Sequence, residues 1–331
     1  MKRGIVWLIG LWAMQWANAA EVVVYTSLDQ VFSQPVLEDF ERETGIAVRA
    51  VYDVEAAKTT GLVNRLIAET SRPQADVFWN SEVGRTLVLK AKGVLAPYPS
   101  PAAEGIPASF KDPEHNWTGF AARARVFIYN TQQLSAQEVP QSILDLAAPR
   151  WKGKIALAYP LFGTAATHVA ALYAALGAER AETFLRDLVA NDVVIVDGNA
   201  AVRDAVARGE IPLGLTDTDD VNVALQRGQP VAMTFPDATG MGTLLIPNTV
   251  ALIRGAPHPE EGKKLIDYLL SPAVERRLAF AESMQIPLRV GVERPARVPA
   301  PQDLRAMAVS YPAIADHLEV SARFCRELFR R

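Results

Sequence analysis

The chain has 331 residues, of which 50% are apolar and 21% charged, and its formal net charge is −3. This composition is typical of a globular protein with one large domain or two, and it excludes an intrinsically disordered chain. The absence of a basic excess argues against nucleic-acid binding. The single cysteine, Cys325, excludes an intramolecular disulfide and a cysteine-based metal cluster.

The first residues have the order of a secretory signal peptide. Lys2 and Arg3 are followed by a mostly apolar stretch of about 13 residues and then by Ala-Asn-Ala at 17–19. A membrane anchor is the alternative, but a spanning helix needs roughly 20 apolar residues. We therefore predict that residues 1–19 are cleaved and that the mature protein is periplasmic.

Strands and helices alternate along the first part of the mature chain. The pattern predicts strands at 21–25, 46–52 and 75–79, with a helix between each pair. This order is typical of a parallel α/β sheet.

The second part continues the alternation. The pattern predicts strands at 125–129, 154–158, 193–196 and 212–215, helices at 164–176, 200–208 and 260–270, and an extended apolar segment at 244–252 broken by Pro247. No low-complexity linker is present, which favours two lobes joined by short hinge strands.

The chain contains none of the common catalytic motifs. A nucleophile elbow, a phosphate-binding P-loop, a dinucleotide fingerprint and His-Glu-x-x-His are all missing. The four histidines are far apart and share no metal-ligand spacing. We therefore predict no enzymatic activity and no cofactor. A secreted enzyme that uses carboxylates for acid–base catalysis is the alternative.

Candidate ligand-binding residues follow the predicted strands, because ligands of open α/β sheets gather at the carboxyl ends of strands. In chain order they are Thr26, Ser27 and Asp29; Asn80, Ser81 and Glu82; Gly163, Thr164 and Ala165; Asn199; and Asp219 and Asp220. Three of these loops, at 26–27, 163–165 and 199, open a predicted helix and suit an anion. Ordinary helix capping is the alternative for each.

The run from Asp217 to Asp220 holds three carboxylates in four residues. They repel one another unless a cation or hydrogen-bond donors meet them. The run does not match a calcium-binding loop. A solvated helix start is the alternative to ligand contact.

Six segments resemble the periplasmic ferric-ion-binding proteins of ABC importers, within the wider extracellular solute-binding family. They are VVVYTS (22–27), PQADVFWNSE (73–82), ARARVFIYNT (122–131), PRWKGKIALAYP (149–160), RGEIPLGLTDTDD (208–220) and residues 242–279. The resemblance implies a type II binding protein, with a hinge cleft between two mostly parallel sheets flanked by helices. It also implies a monomer that closes on a small molecule or ion and delivers it to an inner-membrane permease; delivery to a sensor is the alternative.

The resemblance also implies how the lobes are divided. Lobe one would comprise residues 21–120 plus 246–290, and lobe two residues 121–245. Residues 291–331 would form a helical segment packed on one lobe.

The family's iron ligands are not retained here. Asp29 takes the place of a histidine, Ser81 that of a glutamate with Glu82 beside it, and Asp219 and Asp220 that of two tyrosines. The anion-binding half persists at Gly163, Thr164 and Asn199, and Arg123 matches a strand arginine that faces the cleft in some members.

Two ligand hypotheses follow from this comparison. In the first, an organic phosphate or phosphonate binds the anion pocket, and its amino or hydroxyl groups meet Asp29, Asp219 and Asp220. The alternative is a hard metal ion held with a synergistic anion. Its ligands would be Asp29, Glu82, Asp219 and Asp220.

Overall fold

The structure, a computed structural model of the chain, describes residues 20–53 and 60–330. The predicted signal peptide lies outside the described residues. Within these ranges no helix has the length and apolar character needed to cross a membrane.

Ten strands and ten α-helices make up the described chain, together with short 3-10 helices. The strands are β1 (Glu21–Thr26), β2 (Ala47–Tyr52), β3 (Val77–Asn80), β4 (Leu95–Ala96), β5 (Thr118–Asn130), β6 (Ile155–Ala158), β7 (Val194–Val196), β8 (Leu213–Asp217), β9 (Val231–Thr234) and β10 (Leu245–Ile253). The helices are α1 (Gln30–Thr44), α2 (Thr60–Ala68), α3 (Gly84–Ala91), α4 (Gly163–Leu176), α5 (Ala178–Ala190), α6 (Asn199–Ala207), α7 (Thr218–Gln226), α8 (Pro259–Leu269), α9 (Pro272–Phe280) and α10 (Tyr311–Leu328).

The strands form two parallel groups joined by antiparallel strands. The order is β2-β1-β3-β10-β5-β8-β6-β7, with β4 paired to β10 and β9 paired to β5. The strands of β2-β1-β3 and of β7-β6-β8 are parallel, as the alternating pattern predicts. Strands β5 and β10 run antiparallel to their neighbours, so the sheet as a whole is mixed.

Strand β5 connects the two groups. Its first part pairs with β10 up to Ala124, and its second part pairs with β8 and β9 from Arg125 onward. The strand is buried along its whole length. The sequence pattern predicts only its second part, because two arginines interrupt the apolar pattern that marks a buried strand.

The pairing of β5 with β10 is irregular at one point. Pro247 pairs with Ala122 and Asn248 pairs with Phe120, so Ala121 is an extra residue in the ladder. Its φ of 39° lies in the left-handed region. A proline lacks the N–H that a regular ladder needs, and a bulge bends and twists the strand locally. The irregularity therefore lies in the strand pair that joins the two groups.

The last helix, α10, packs against both α3 and α4. These two helices lie on opposite sides of the predicted lobe boundary, whereas the prediction placed the C-terminal segment on one lobe. Leu318 and Cys325 are buried on its packed face. Burial raises the pKa of the Cys325 thiol to about 12, which fits a packing side chain better than a reactive thiol.

Gly214 in β8 sets how closely α6 approaches the sheet. A Cβ at this position would meet Val202 Cγ1 on α6 at less than contact distance. We therefore expect Gly214→Ala to lower the free energy of unfolding by about 1–3 kcal/mol, measured by urea denaturation. The double variant with Val202→Ala should lose less than the sum of the single losses. Additive losses would show that this contact does not cause the effect.

Candidate functional site

A cleft of about 190 Å³ lies where the first turns of four helices meet. The helices are α1, α4, α6 and α7, and Arg123 of β5 lies in the same wall. The four helices follow strands or loops at one edge of the sheet. Ligands of open α/β sheets gather at this edge, where the carboxyl ends of the strands lie. The lining residues from these helices and the loops before them include Asp29, Val31, Phe32, Phe162, Gly163, Thr164, Ala165, Gly198, Asn199, Ala200, Asp219 and Asp220.

The N-termini of these four helices carry no side-chain cap. None of the residues at the cap positions makes a side-chain capping hydrogen bond in the described chain; they are Asp29, Phe162, Gly198 and Asp217. In contrast, Ser271 and Ser310 cap α9 and α10 away from the cleft. Helix N-termini carry a partial positive charge, so their convergence favours an anion in the cleft.

Arg123 is the most unusual side chain in the cleft. Only 6% of it is exposed, and its Nη1 lies 3.0 Å from Asp219 Oδ2. Its Nε and Nη2 have no hydrogen-bond partner among the described residues. Burying a guanidinium nitrogen without an acceptor is costly, and a ligand that brings oxygen atoms to these donors would remove that cost.

The groups around Arg123 keep its guanidinium protonated. Burial lowers the pKa of the guanidinium, but the neighbouring carboxylates, Asp219 first, outweigh burial and leave the pKa above its usual value. Arg123 is therefore a permanent cation inside the cleft.

The acidic run at 217–220 is paired with arginines. Carboxylate oxygens of Asp217, Asp219 and Asp220 lie within 4.8 Å of one another, and Asp217 and Asp219 are buried, so the run is not a solvated helix start. The pairs are Arg125 Nη1 with Asp217 Oδ1 at 2.7 Å, Arg123 Nη1 with Asp219 Oδ2 at 3.0 Å, and Arg203 Nη1 with Asp220 Oδ1 at 3.7 Å. Guanidinium groups thus relieve the repulsion that the sequence implies.

Most of the candidate residues line the cleft. They are Asp29, Ser81, Arg123, Gly163, Thr164, Ala165, Asn199, Asp219 and Asp220. Thr26, Ser27, Asn80 and Glu82 do not line it; they are buried at the ends of β1 and β3 and in the loops that follow these strands.

Hydrogen bonds inside these loops explain their inward position. Ser27 Oγ donates to Asn80 Oδ1 at 2.6 Å and accepts from the Ser81 amide at 2.8 Å. Thr26 Oγ1 accepts from the Leu28 amide at 3.2 Å. These side chains satisfy the polar groups of two neighbouring loops, and so hold Asp29 and Ser81 in place at the cleft.

The carboxylate of Glu82 is also turned inward, by hydrogen bonds to α3 and α4. It accepts from the amides of Gly84 and Arg85 at the start of α3, and from Thr167 Oγ1 of α4 at 2.8 Å. The metal-ligand set that includes Glu82 is therefore not assembled in this structure. Asp217 instead completes the group of neighbouring carboxylates.

Several residues of the cleft wall are not among those predicted from the sequence. They are Tyr159, Arg203, Val223, Arg227 and Glu282. Arg203 follows Asn199 by four residues, so helical spacing would have placed both on one face of α6. Arg227 and Glu282 pair at 3.1 Å from distant parts of the chain, and no local pattern signals that contact.

Residues 74–314 match the bacterial extracellular solute-binding protein family, and the chain belongs to this family. The predicted family resemblance is thereby confirmed. The chain is 28% identical over 268 residues to the major ferric iron-binding protein of Neisseria meningitidis, covering 78% of each chain. It is 30% identical over 281 residues to a putative 2-aminoethylphosphonate-binding periplasmic protein of Salmonella typhi, covering 81% of this chain and 78% of the relative.

Solved structures of binding proteins share the fold. Iron-bound HitA from Pseudomonas aeruginosa superposes with a TM-score of 0.84 at 21% identity, covering 93% of this chain and 99% of that chain. AfuA from Actinobacillus pleuropneumoniae, with fructose-6-phosphate bound, superposes with a TM-score of 0.81 at 21% identity, covering 93% of this chain and 98% of that chain. The predicted type II binding-protein fold is confirmed, with a mixed sheet flanked by helices.

Proposed function

We propose that this solute-binding protein holds a small ligand with a phosphate or phosphonate group in the cleft and delivers it to an inner-membrane permease. The observation that carries the proposal is Arg123, a buried cation at the meeting point of four helix N-termini. Among residues 20–53 and 60–330, two of its nitrogens have no partner and these N-termini have no side-chain cap. The name of the Salmonella relative supports the same ligand class.

The ligand's anionic oxygens would accept from Arg123 Nε and Nη2 and from the first amides of α4 and α6. Arginine and helix N-termini are the groups that proteins commonly use for phosphate. Asp29, Asp219 and Asp220 line the same cleft, and their oxygens suit an ammonium or hydroxyl group at the other end of the ligand. The volume of about 190 Å³ fits a ligand smaller than a drug-sized molecule.

A hard metal ion is the second candidate, because the carboxylates of Asp217, Asp219 and Asp220 lie close enough to share one ion. The Neisseria relative, named as a ferric iron-binding protein, supports this candidate. The three arginines paired with these carboxylates oppose it, since each guanidinium would repel a cation at this position. We therefore rank the anion first.

The remaining parts of the proposal follow from the sequence and from the family. The signal peptide is cleaved after Ala19, and the mature protein acts as a monomer without enzymatic activity or a cofactor. Ligand bridges the two lobes and shifts an equilibrium between open and closed forms. The lobes are those predicted from the sequence, 21–120 plus 246–290 and 121–245.

A thermal-shift panel on the purified mature chain tests the ligand class. One arm holds inorganic phosphate, 2-aminoethylphosphonate and sugar phosphates; the other holds ferric citrate and divalent metals with and without phosphate. A ligand at 100 times its Kd should stabilise the protein by about 2.7 kcal/mol. A shift with an organophosphate or phosphonate supports the proposal, and a shift only with a metal overturns it.

A further inference from the structure

Arg125 and Asp217 form a buried ion pair directly behind the cleft. Their side chains are 2% and 0% exposed, with Arg125 Nη1 2.7 Å from Asp217 Oδ1. Neither residue lines the cleft. A buried ion pair loses its hydration and stabilises little unless further hydrogen bonds complete it. The partners of this pair therefore indicate what it does.

The pair is hydrogen-bonded to Thr164 and Asn199, two polar residues of the cleft lining. Asp217 Oδ2 accepts from Thr164 Oγ1 at 2.6 Å and from Asn199 Nδ2 at 2.9 Å. Arg125 Nη1 donates to Asn199 Oδ1 at 3.1 Å, and Asn199 Nδ2 also donates to Thr164 Oγ1 at 2.7 Å. The four side chains form one closed network.

This network joins elements that are far apart in the sequence. Arg125 belongs to β5, Thr164 and Asn199 lie in the first turns of α4 and α6, and Asp217 precedes α7. Because the first-turn amides move with their helices, the Asp217 carboxylate ties two helix N-termini to each other and to the strand that also carries Arg123.

We propose that Arg125 and Asp217 are a positioning pair, which through the side chains of Thr164 and Asn199 holds the first amides of α4 and α6 where they can donate to the ligand's anionic group. The inference rests on the proposed function of the cleft. The pair acts through its partners and does not touch the ligand. Donors held in place before the ligand arrives bind it more tightly, since less ordering accompanies binding.

If only its charge mattered, Asp217 would weaken anion binding, whereas a positioning role means that it strengthens anion binding. Its Oδ2 lies 3.9 Å from Arg123 Nη1, so its negative charge is close to the anion pocket. If Asp217 acted only through its charge, Asp217→Asn would remove a repulsion and tighten anion binding. If it acts by positioning, the same change weakens binding, because the amide cannot accept from Arg125, Thr164 and Asn199 as the carboxylate does.

Isothermal titration calorimetry of the full mature chain with 2-aminoethylphosphonate and inorganic phosphate separates these effects. We expect Asp217→Asn to raise the Kd of the bound anion about tenfold or more. The control Glu210→Gln changes the net charge equally at an exposed site, where Glu210 pairs with Arg208, and should leave the Kd unchanged. Equal or tighter binding by Asp217→Asn overturns the positioning role.

A double-variant cycle tests whether Asp217 acts through Thr164. Thr164→Val should weaken binding, and combining it with Asp217→Asn should weaken binding by less than the product of the two single effects. Effects that simply multiply contradict the inference. If Asp217→Asn fails to fold, Arg125→Lys replaces it in the cycle, because lysine keeps the charge but cannot reach Asp217 and Asn199 with one planar group.

Hydrogen–deuterium exchange of the ligand-free protein gives an independent readout. Asp217→Asn should speed exchange at 163–166 and 199–202, whereas Glu210→Gln should not. Unchanged exchange overturns the positioning pair. It is also possible to separate the two proposals. If the wild-type chain binds no anion but Asp217→Asn still speeds this exchange, the proposed function is wrong. The role of the pair in holding these helix ends is then still supported.

Discussion

Arg123→Met should raise the Kd for a phosphate- or phosphonate-bearing ligand about a hundredfold, as measured by titration calorimetry. The substitution keeps most of the side-chain volume but removes the two unpartnered nitrogens and the charge. Losing charge-assisted hydrogen bonds in a buried site costs about 3 kcal/mol, which corresponds to that factor. The variant should also unfold at a lower temperature, because Asp219 loses its arginine.

Arg227→Met is the matched control. Arg227 also lines the cleft, but its side chain is 57% exposed and pairs with Glu282 at the rim. Exposed ion pairs contribute less than about 1 kcal/mol, so the Kd should change by less than about fivefold. If the two variants weaken binding equally, Arg123 is not the anion's main partner. If Arg123→Met binds the anion as the wild type does, the proposed function is wrong.

Asp219→Asn should change the affinity for two related ligands in opposite directions. Its carboxylate pairs with Arg123 at 3.0 Å, so neutralising it releases a third guanidinium nitrogen to the ligand. We expect ethylphosphonate to bind about tenfold more tightly. 2-Aminoethylphosphonate should bind about tenfold more weakly, because its ammonium group loses an anionic partner.

The ratio of the two Kd values is the measurement that checks this prediction. It should change by about a hundredfold between wild type and Asp219→Asn. Asp187→Asn, which neutralises an exposed acid on α5, should leave the ratio unchanged. If both affinities move in the same direction in Asp219→Asn, the carboxylate does not distinguish an ammonium-bearing ligand from a plain anion.

The loops of the cleft could be found in the sequence because each follows a strand or opens a helix. Gly163 and Asn199 begin α4 and α6 within one residue of the predicted helix starts, whereas α7, which holds Asp219 in its first turn, is not among the predicted helices. Hydrophobic periodicity and helix starts are local features, so a short window of sequence is enough to detect them.

The direction in which a loop residue points could not be found in this way. Ser27, Asn80 and Glu82 lie at or just after the end of a strand, as Asp29 and Ser81 do. Hydrogen bonds to each other and to α3 and α4 nevertheless turn them inward. Those partners lie far away in the sequence. The same limit applies to Arg227 and Glu282, whose contact depends on how distant segments pack.

By itself, the sequence determined the α/β class, most of the strand-end loops that line the cleft, and the family, because these depend on local periodicity and on segments that can be compared directly. Only the tertiary structure decided that Arg123 is buried with two donors that find no partner in the described part of the chain, and that arginines neutralise the acidic run. Both facts depend on strand β5 passing between two parallel groups of strands. Burial and charge pairing arise from contacts between residues distant in the chain, and such contacts leave no local pattern.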